Sequence, residues 1–158
     1  MHQQIRGSPD DTAGNIRRVV NALAKQGINI EGIAPDFDPP HVRVAVEHLD
    51  PYDPTNVDDP FNQALAAMED AGLAPEVRSA VVVTMPNKPR ALKAALDRLT
   101  REGYAVEAIL VLPGEPAPSS ARVSFGISRT AIFGWDDAQA EALEGRIEAD
   151  IEALPQES

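Results

Sequence analysis

The chain has 158 residues, 43% of them hydrophobic and none of them cysteine, and carries a formal charge of -11. That is enough apolar material for one ordinary cored domain or two very small ones, and the missing thiols exclude disulfides, thiolate zinc sites and a cysteine nucleophile. An excess of carboxylates repels phosphate, so neither nucleic acid nor an anionic membrane is an expected partner.

The opening residues, Met1-His2-Gln3-Gln4-Ile5-Arg6, hold no apolar leader segment. No later run approaches the roughly 20 apolar residues needed to span a bilayer. A soluble, cytoplasmic protein is the expectation.

In chain order, Gln3 to Gly7 is a short candidate strand, and Ile16, Val19, Val20 and Leu23 then recur at i, i+3, i+4 and i+7. That spacing forms one face of an amphipathic helix. Lys25 closes the helix and Gly27 follows, the chemistry of a helix C-terminus. Ile28 to Ile33 reads as a strand ending in the proline-rich turn Pro35 to Pro40. Val42, Val44 and Val46 then alternate, the sign of a half-buried strand. Asp59 and Pro60 suit a helix N-cap and first position, ahead of a stripe of Phe61, Leu65 and Met68. Leu73 to Arg78 is available as a short final strand.

The pattern then repeats. An offset of 76 residues lays Ile16 to Leu23 over Leu92 to Leu99, and Gly27-Ile28-Asn29-Ile30-Glu31 over Gly103-Tyr104-Ala105-Val106-Glu107. Ala80 to Met85 is the strand before this second helix, and Tyr104 to Leu112 the strand after it. A proline-rich turn, Pro113 to Pro118, leads to the alternation of Val123, Phe125 and Ile127. A last helix begins at Asp136 or Asp137 and runs through Leu143, Ile147 and Ile151, with Trp135 expected as a core anchor at its start. Only Pro155 to Ser158 remain, so this copy has no evident fourth strand. The predicted fold is α+β: two ferredoxin-like βαββαβ units in tandem over residues 1–78 and 79–158, with antiparallel sheets and helices on one face.

The segment Asp11-Thr12-Ala13-Gly14-Asn15-Ile16, followed by Leu23-Ala24-Lys25-Gln26-Gly27-Ile28-Asn29-Ile30, resembles the ACT-domain pattern Asp-x-Pro-Gly, hydrophobic helix, Leu-Ala-x-x-Gly-Ile-Asn-Ile. Asn87-Lys88-Pro89-Arg90-Ala91-Leu92 and the residues after it resemble the pattern more loosely. The chain is therefore similar to a stand-alone tandem ACT protein. That resemblance implies a regulatory module binding a free amino acid or related metabolite where two modules meet. Ala13 stands where the family usually has proline, Arg90 where it has glycine, and Ala105 where it has asparagine. These departures direct the expected site to the first copy.

The candidate ligand-binding residues are Asp11, Thr12, Ala13, Gly14, Asn15, Asn29 and Ile30, with Asn87 and Arg90 as the second copy's counterparts. A loop ending at a helix N-terminus offers unpaired N–H groups to a carboxylate. Gly14 leaves the backbone open to close approach, Asp11 can accept from an ammonium group, and Asn29 can both donate and accept. Each also has a purely structural reading: Asp11 or Thr12 and Asn87 as N-caps, Gly14 for helix packing, Asn29 in a turn after Gly27.

No catalytic constellation is evident. His41 and His48 are seven residues apart and face opposite sides of any strand holding both. The acidic run from Asp50 to Asp59 lacks the glycine and the glutamate of a calcium loop and reads as a solvated connection. No metal, cofactor or phosphate-binding motif is found. The expected function is therefore a non-enzymatic sensor of a free amino acid. The alternative is an interaction module that assembles with itself or with a metabolic enzyme and binds no ligand. The absent fourth strand would leave a sheet edge to be covered, so a homodimer is expected.

Overall fold

The computed structural model describes residues 2–7, 15–37, 40–49, 52–86, 90–112, 120–128 and 137–155. It divides into two compact units, Gln4–Arg78 and Ser79–Ser158, the second joined by the first residues of the chain.

The first unit contains β1 (His2–Gly7), α1 (Asn15–Lys25), β2 (Ile30–Phe37), β3 (Pro40–Val46), α2 (Pro60–Asp70) and the start of β4 (Glu76–Pro86). Strand order is β2-β3-β1-β4. Ile5 lies opposite Val44 and Gly7 opposite Val42, while Ile33 pairs with Val44 across β2 and β3. Residues paired across an antiparallel ladder share a face, so Ile5, Ile33, Val42 and Val44 form one apolar surface. Val19 and Leu23 of α1 and Phe61 and Met68 of α2 cover it, closing a buried core.

The second unit contains the rest of β4, α3 (Ala91–Arg101), β5 (Ala105–Leu112), β6 (Ser120–Ser128) and α4 (Asp137–Glu152). Its order is β4-β6-β5, with Val81 opposite Phe125 and Val83 opposite Val123. Leu99 of α3 and Leu143 and Ile147 of α4 pack on that face. The repeat extends to the helix ends. Gly27 and Gly103 both take positive φ, +68° and +85°, and the amides after them, Ile28 and Tyr104, each donate to a carbonyl five residues back at 3.0 Å. This is the glycine-dependent helix stop that the spacing predicts.

Four details differ from the sequence-based expectation. Leu73 to Arg78 and Ala80 to Met85 are not separate strands, because nothing between Glu76 and Met85 breaks an extended chain and β4 runs through both units. The proline-rich turn shrinks: β2 continues through Pro35 to Phe37, tolerated because β2 ends the strand order and an edge strand can spare one N–H. β3 is not half-buried, since His41 to Val46 are buried without exception, including His41 and Arg43. No strand follows α4 among the described residues. The side of β4 away from β6 nevertheless has a neighbour, because β1 lies there in the strand order and His2 and Gln3 cluster with the second unit. Trp135 lies outside the described residues.

Candidate functional site

Asp11, Thr12, Ala13, Gly14 and Asn87 lie outside the described residues, as does the side chain of Asn15. The backbone of Asn15 opens α1. The first turn of α1 contains no acidic side chain but does contain Arg17 and Arg18. Its leading N–H groups have no intrahelical acceptors, and cations there add to the positive end of the helix dipole rather than offsetting it. Arg18 turns away and donates through Nη2 to the carbonyl of Ala71 at 3.0 Å, beyond the end of α2. Arg17 is exposed. Among the described residues, this end of α1 thus carries cationic side chains and no carboxylate.

Asn29 is exposed, two residues past Gly27. It sits beyond the C-terminus of α1, whereas Asn15 sits at the N-terminus. Eleven helical residues separate the two ends by about 16 Å, at 1.5 Å per residue. One module therefore does not bring Asn15 and Asn29 to a single small ligand. Ile30 is half-buried, paired with Val46 and packed against the first unit's core. Only its backbone is left for a ligand.

Of the second copy's two candidate residues, Arg90 is the one described. It precedes α3 with φ 70° and ψ 0°, exposed and making no side-chain cap hydrogen bond. A left-handed backbone is what glycine adopts without strain, and glycine is the residue the family resemblance places there. Arg90 thus holds a backbone conformation that a glycine would take at less cost.

Two polar arrangements escape sequence reasoning. On the face of the first unit's sheet opposite the one packed by α1 and α2, Arg43 is only 2% exposed and donates through Nη1 to the buried Gln4 at 3.3 Å. The only signal was their position out of phase with the valines, which does not reveal that both faces are covered. The acidic connection before α2 is also organised rather than merely solvated. Asp59 is fully buried and accepts from the N–H groups of Phe61 at 2.9 Å and Leu49 at 3.0 Å. Asn62 donates to the carbonyls of Asp53 and Asn56 and accepts from the Tyr52 hydroxyl at 2.6 Å. Burial, with Asp59 and Asp53 nearby, raises the Tyr52 phenol above its ordinary pKa. Asp59 showed through its capping position, but the Asn62 staple had no sequence signal.

His41 lies within β3 and His48 beyond its end. Among the described residues no group of three or more His, Cys, Asp or Glu is placed to hold a metal ion, and no described helix is long and apolar enough to cross a membrane.

No protein-family model matches the chain, and neither does any curated protein. Solved structures do. The chain is similar to protein BT0572 from Bacteroides thetaiotaomicron, with 22% identity, a TM-score of 0.61 and coverage of 97% of this chain and 96% of that one. It is also similar to the regulatory subunit of aspartate kinase from Thermus thermophilus, with 20% identity, a TM-score of 0.57 and coverage of 94% and 92%. The corresponding subunit from Thermus flavus has 23% identity, a TM-score of 0.55 and the same coverage. The chain thus shares the fold of these structures, with two ferredoxin-like units in tandem.

Proposed function

We propose that this protein is a non-enzymatic regulatory sensor that binds a free amino acid at an interface between ACT-type modules, with a second copy of the chain completing the assembly. The cation-bearing first turn of α1 carries the reading. Its N–H groups and Arg17 suit an α-carboxylate, and no acidic side chain lies within the turn itself. The sequence places Asp11 and Gly14 immediately before this turn, to take an ammonium group and to admit the backbone of the ligand.

Asn29, about a helix length away, serves a ligand held against another module. A homodimer supplies that module. The likeness to regulatory subunits of aspartate kinase supports a regulatory rather than catalytic role and makes a metabolic enzyme a reasonable further partner. A helix terminus contributes at most about 2 kcal/mol, whereas micromolar affinity needs about 8. Most of the binding must therefore come from the enclosed interface.

A thermal-shift screen against the free amino acids tests this reading. Ligand at 100 times its dissociation constant adds about 2.7 kcal/mol of stability, a clear rise in melting temperature. Absence of any response across the panel would remove the sensor reading in favour of an interaction module that binds no ligand.

A further inference from the structure

We propose that Arg6 and Arg78, on the face of the first unit's sheet turned away from α1 and α2, form a binding site for a small oxyanion, a phosphate or carboxylate group. Ile5 and Gly7 pair with the core residues Val44 and Val42, and Arg6 between them pairs with Arg43. Successive strand residues alternate faces, so Arg6 and Arg43 stand side by side on the opposite surface. Like charges directly opposite each other in a ladder destabilise it. β4 brings a further cation to this face. Glu76 and Arg78 are two residues apart in β4 and share one side of it, where Arg78 Nη2 meets Glu76 Oε2 at 2.7 Å. The same oxygen lies 3.8 Å from Nη1 of Arg6.

The hydrogen bonding around these arginines is incomplete. At 3.8 Å Glu76 is beyond hydrogen-bond reach of Arg6. No other described residue bonds to that guanidinium, although the side chain is only 21% exposed. Nε of Arg78 is buried and has no acceptor among the described residues. Two guanidinium groups thus share one carboxylate. The arginine fork matches two oxygens of a phosphate or a carboxylate. An oxyanion seated between Arg6 and Arg78 therefore supplies acceptors that Glu76 does not and offsets the positive charge that Glu76 leaves over.

The second copy shows that the fold does not require these charges. The 76-residue offset puts Val82 in the place of Arg6. Val82 pairs with Ser124 as Arg6 pairs with Arg43, each one residue along from an apolar pair, Val81 with Phe125 and Ile5 with Val44. The same ladder is built there without a cation, so the arginines belong to the first copy alone. The chain's formal charge of -11 is screened beyond about 10 Å at 0.1 M salt, and a small anion at this site meets chiefly the arginines.

Isothermal titration of inorganic phosphate and of succinate into the full chain, at fixed pH and ionic strength, tests the site. Saturable binding of at least one is expected. Tighter phosphate binding assigns the site to phosphate compounds, and tighter succinate binding assigns it to carboxylates. Arg6→Gln and Arg78→Gln, each with unchanged circular dichroism, should weaken binding by about tenfold, the loss of a charge-assisted hydrogen bond. Glu76→Gln removes the competing carboxylate and should tighten binding severalfold, which a purely structural role for Glu76 would not produce. No saturable binding of either anion, an affinity unchanged in Arg6→Gln, or weaker binding in Glu76→Gln would overturn the site. None of these outcomes depends on an amino-acid response, so this site and the sensor reading fail separately.

Discussion

The carboxylate of Glu144 on α4 accepts a hydrogen bond from the backbone N–H of Val82 on β4 at 3.0 Å. A strand N–H normally finds its acceptor in a neighbouring strand; here a helix side chain supplies it, in the unit where no fourth strand of its own is seen among the described residues. Burial lifts the Glu144 pKa above the ordinary carboxylate range against the pull of the Val82 N–H, and Glu148 and Glu141 on the same helix face add to the rise.

A carboxyl whose pKa is raised on folding stabilises the native state in its protonated form, and that contribution is lost as pH rises through the folded-state pKa. Glu144→Gln, which keeps an acceptor and removes the charge, should therefore stabilise the protein at neutral pH. The gain should shrink to nothing below the ordinary glutamate pKa, where wild type is protonated as well. Glu144→Ala, which leaves the Val82 N–H without this acceptor, should cost about 1–3 kcal/mol. Urea unfolding of the three proteins across pH provides the check, and a stabilised alanine variant would contradict the role given to this bond.

Acid should act oppositely on the pair that ties α3 to α4. Arg98 donates to Asp150 through Nε at 2.7 Å and Nη2 at 2.8 Å, and Arg146 makes a similar two-bond contact with Glu102 at 2.9 and 2.6 Å. The hydrogen bonds from Arg98 and Arg146 hold the Asp150 and Glu102 pKa values below the ordinary range. A lowered carboxyl pKa contributes stability above the unfolded-state pKa that is lost as pH falls through the folded-state value. Asp150→Asn should therefore be less stable than wild type at neutral pH and converge with it in acid, and the neutral-pH difference should narrow with added salt. A difference that persists unchanged into acid would rule out the charge pair as its cause.

Asp59 is fully buried and accepts from two backbone amides. Asp59→Ala should cost about 2–3 kcal/mol, from loss of the helix cap and of a buried acceptor. Asp59→Asn, which retains one acceptor oxygen, should recover part of that. Chemical denaturation measures both, and an alanine variant within experimental error of wild type would show that water replaces the carboxylate.

Arg90→Gly should stabilise the protein by about 0.5–1 kcal/mol, because a left-handed conformation costs a side-chain-bearing residue about 1–2 kcal/mol and glycine little. Arg90→Ala should give no such gain, since alanine bears the same strain at φ 70°. Equal stabilisation by both would trace the effect to charge at the α3 N-terminus instead.

Much of this architecture was legible because it depends on local rules. The 76-residue repeat, the stripes ending at Leu23 and Leu99, the stops at Gly27 and Gly103 and the cap at Asp59 all follow from spacing within a few residues. What stayed hidden depends on residues distant in sequence. That β3 is covered on both faces, that β1 neighbours β4, and that Glu144 reaches Val82 are consequences of packing, and no short window contains both partners. The expected ligand set shows the same division: the spacing of Asn15 and Asn29 matches a family pattern, while the eleven residues of α1 that hold the two positions about 16 Å apart belong to the fold.

The central claim is most directly tested by isothermal titration of free amino acids into the wild-type chain and into Gly14→Arg, with circular dichroism confirming that the variant is folded. The account predicts saturable binding of at least one amino acid by wild type and a loss of about tenfold or more in affinity in Gly14→Arg, where a long cationic side chain obstructs close backbone approach at the start of α1. Binding that is unchanged in Gly14→Arg would contradict the placement of the site, and no binding of any amino acid by wild type would contradict the sensor itself.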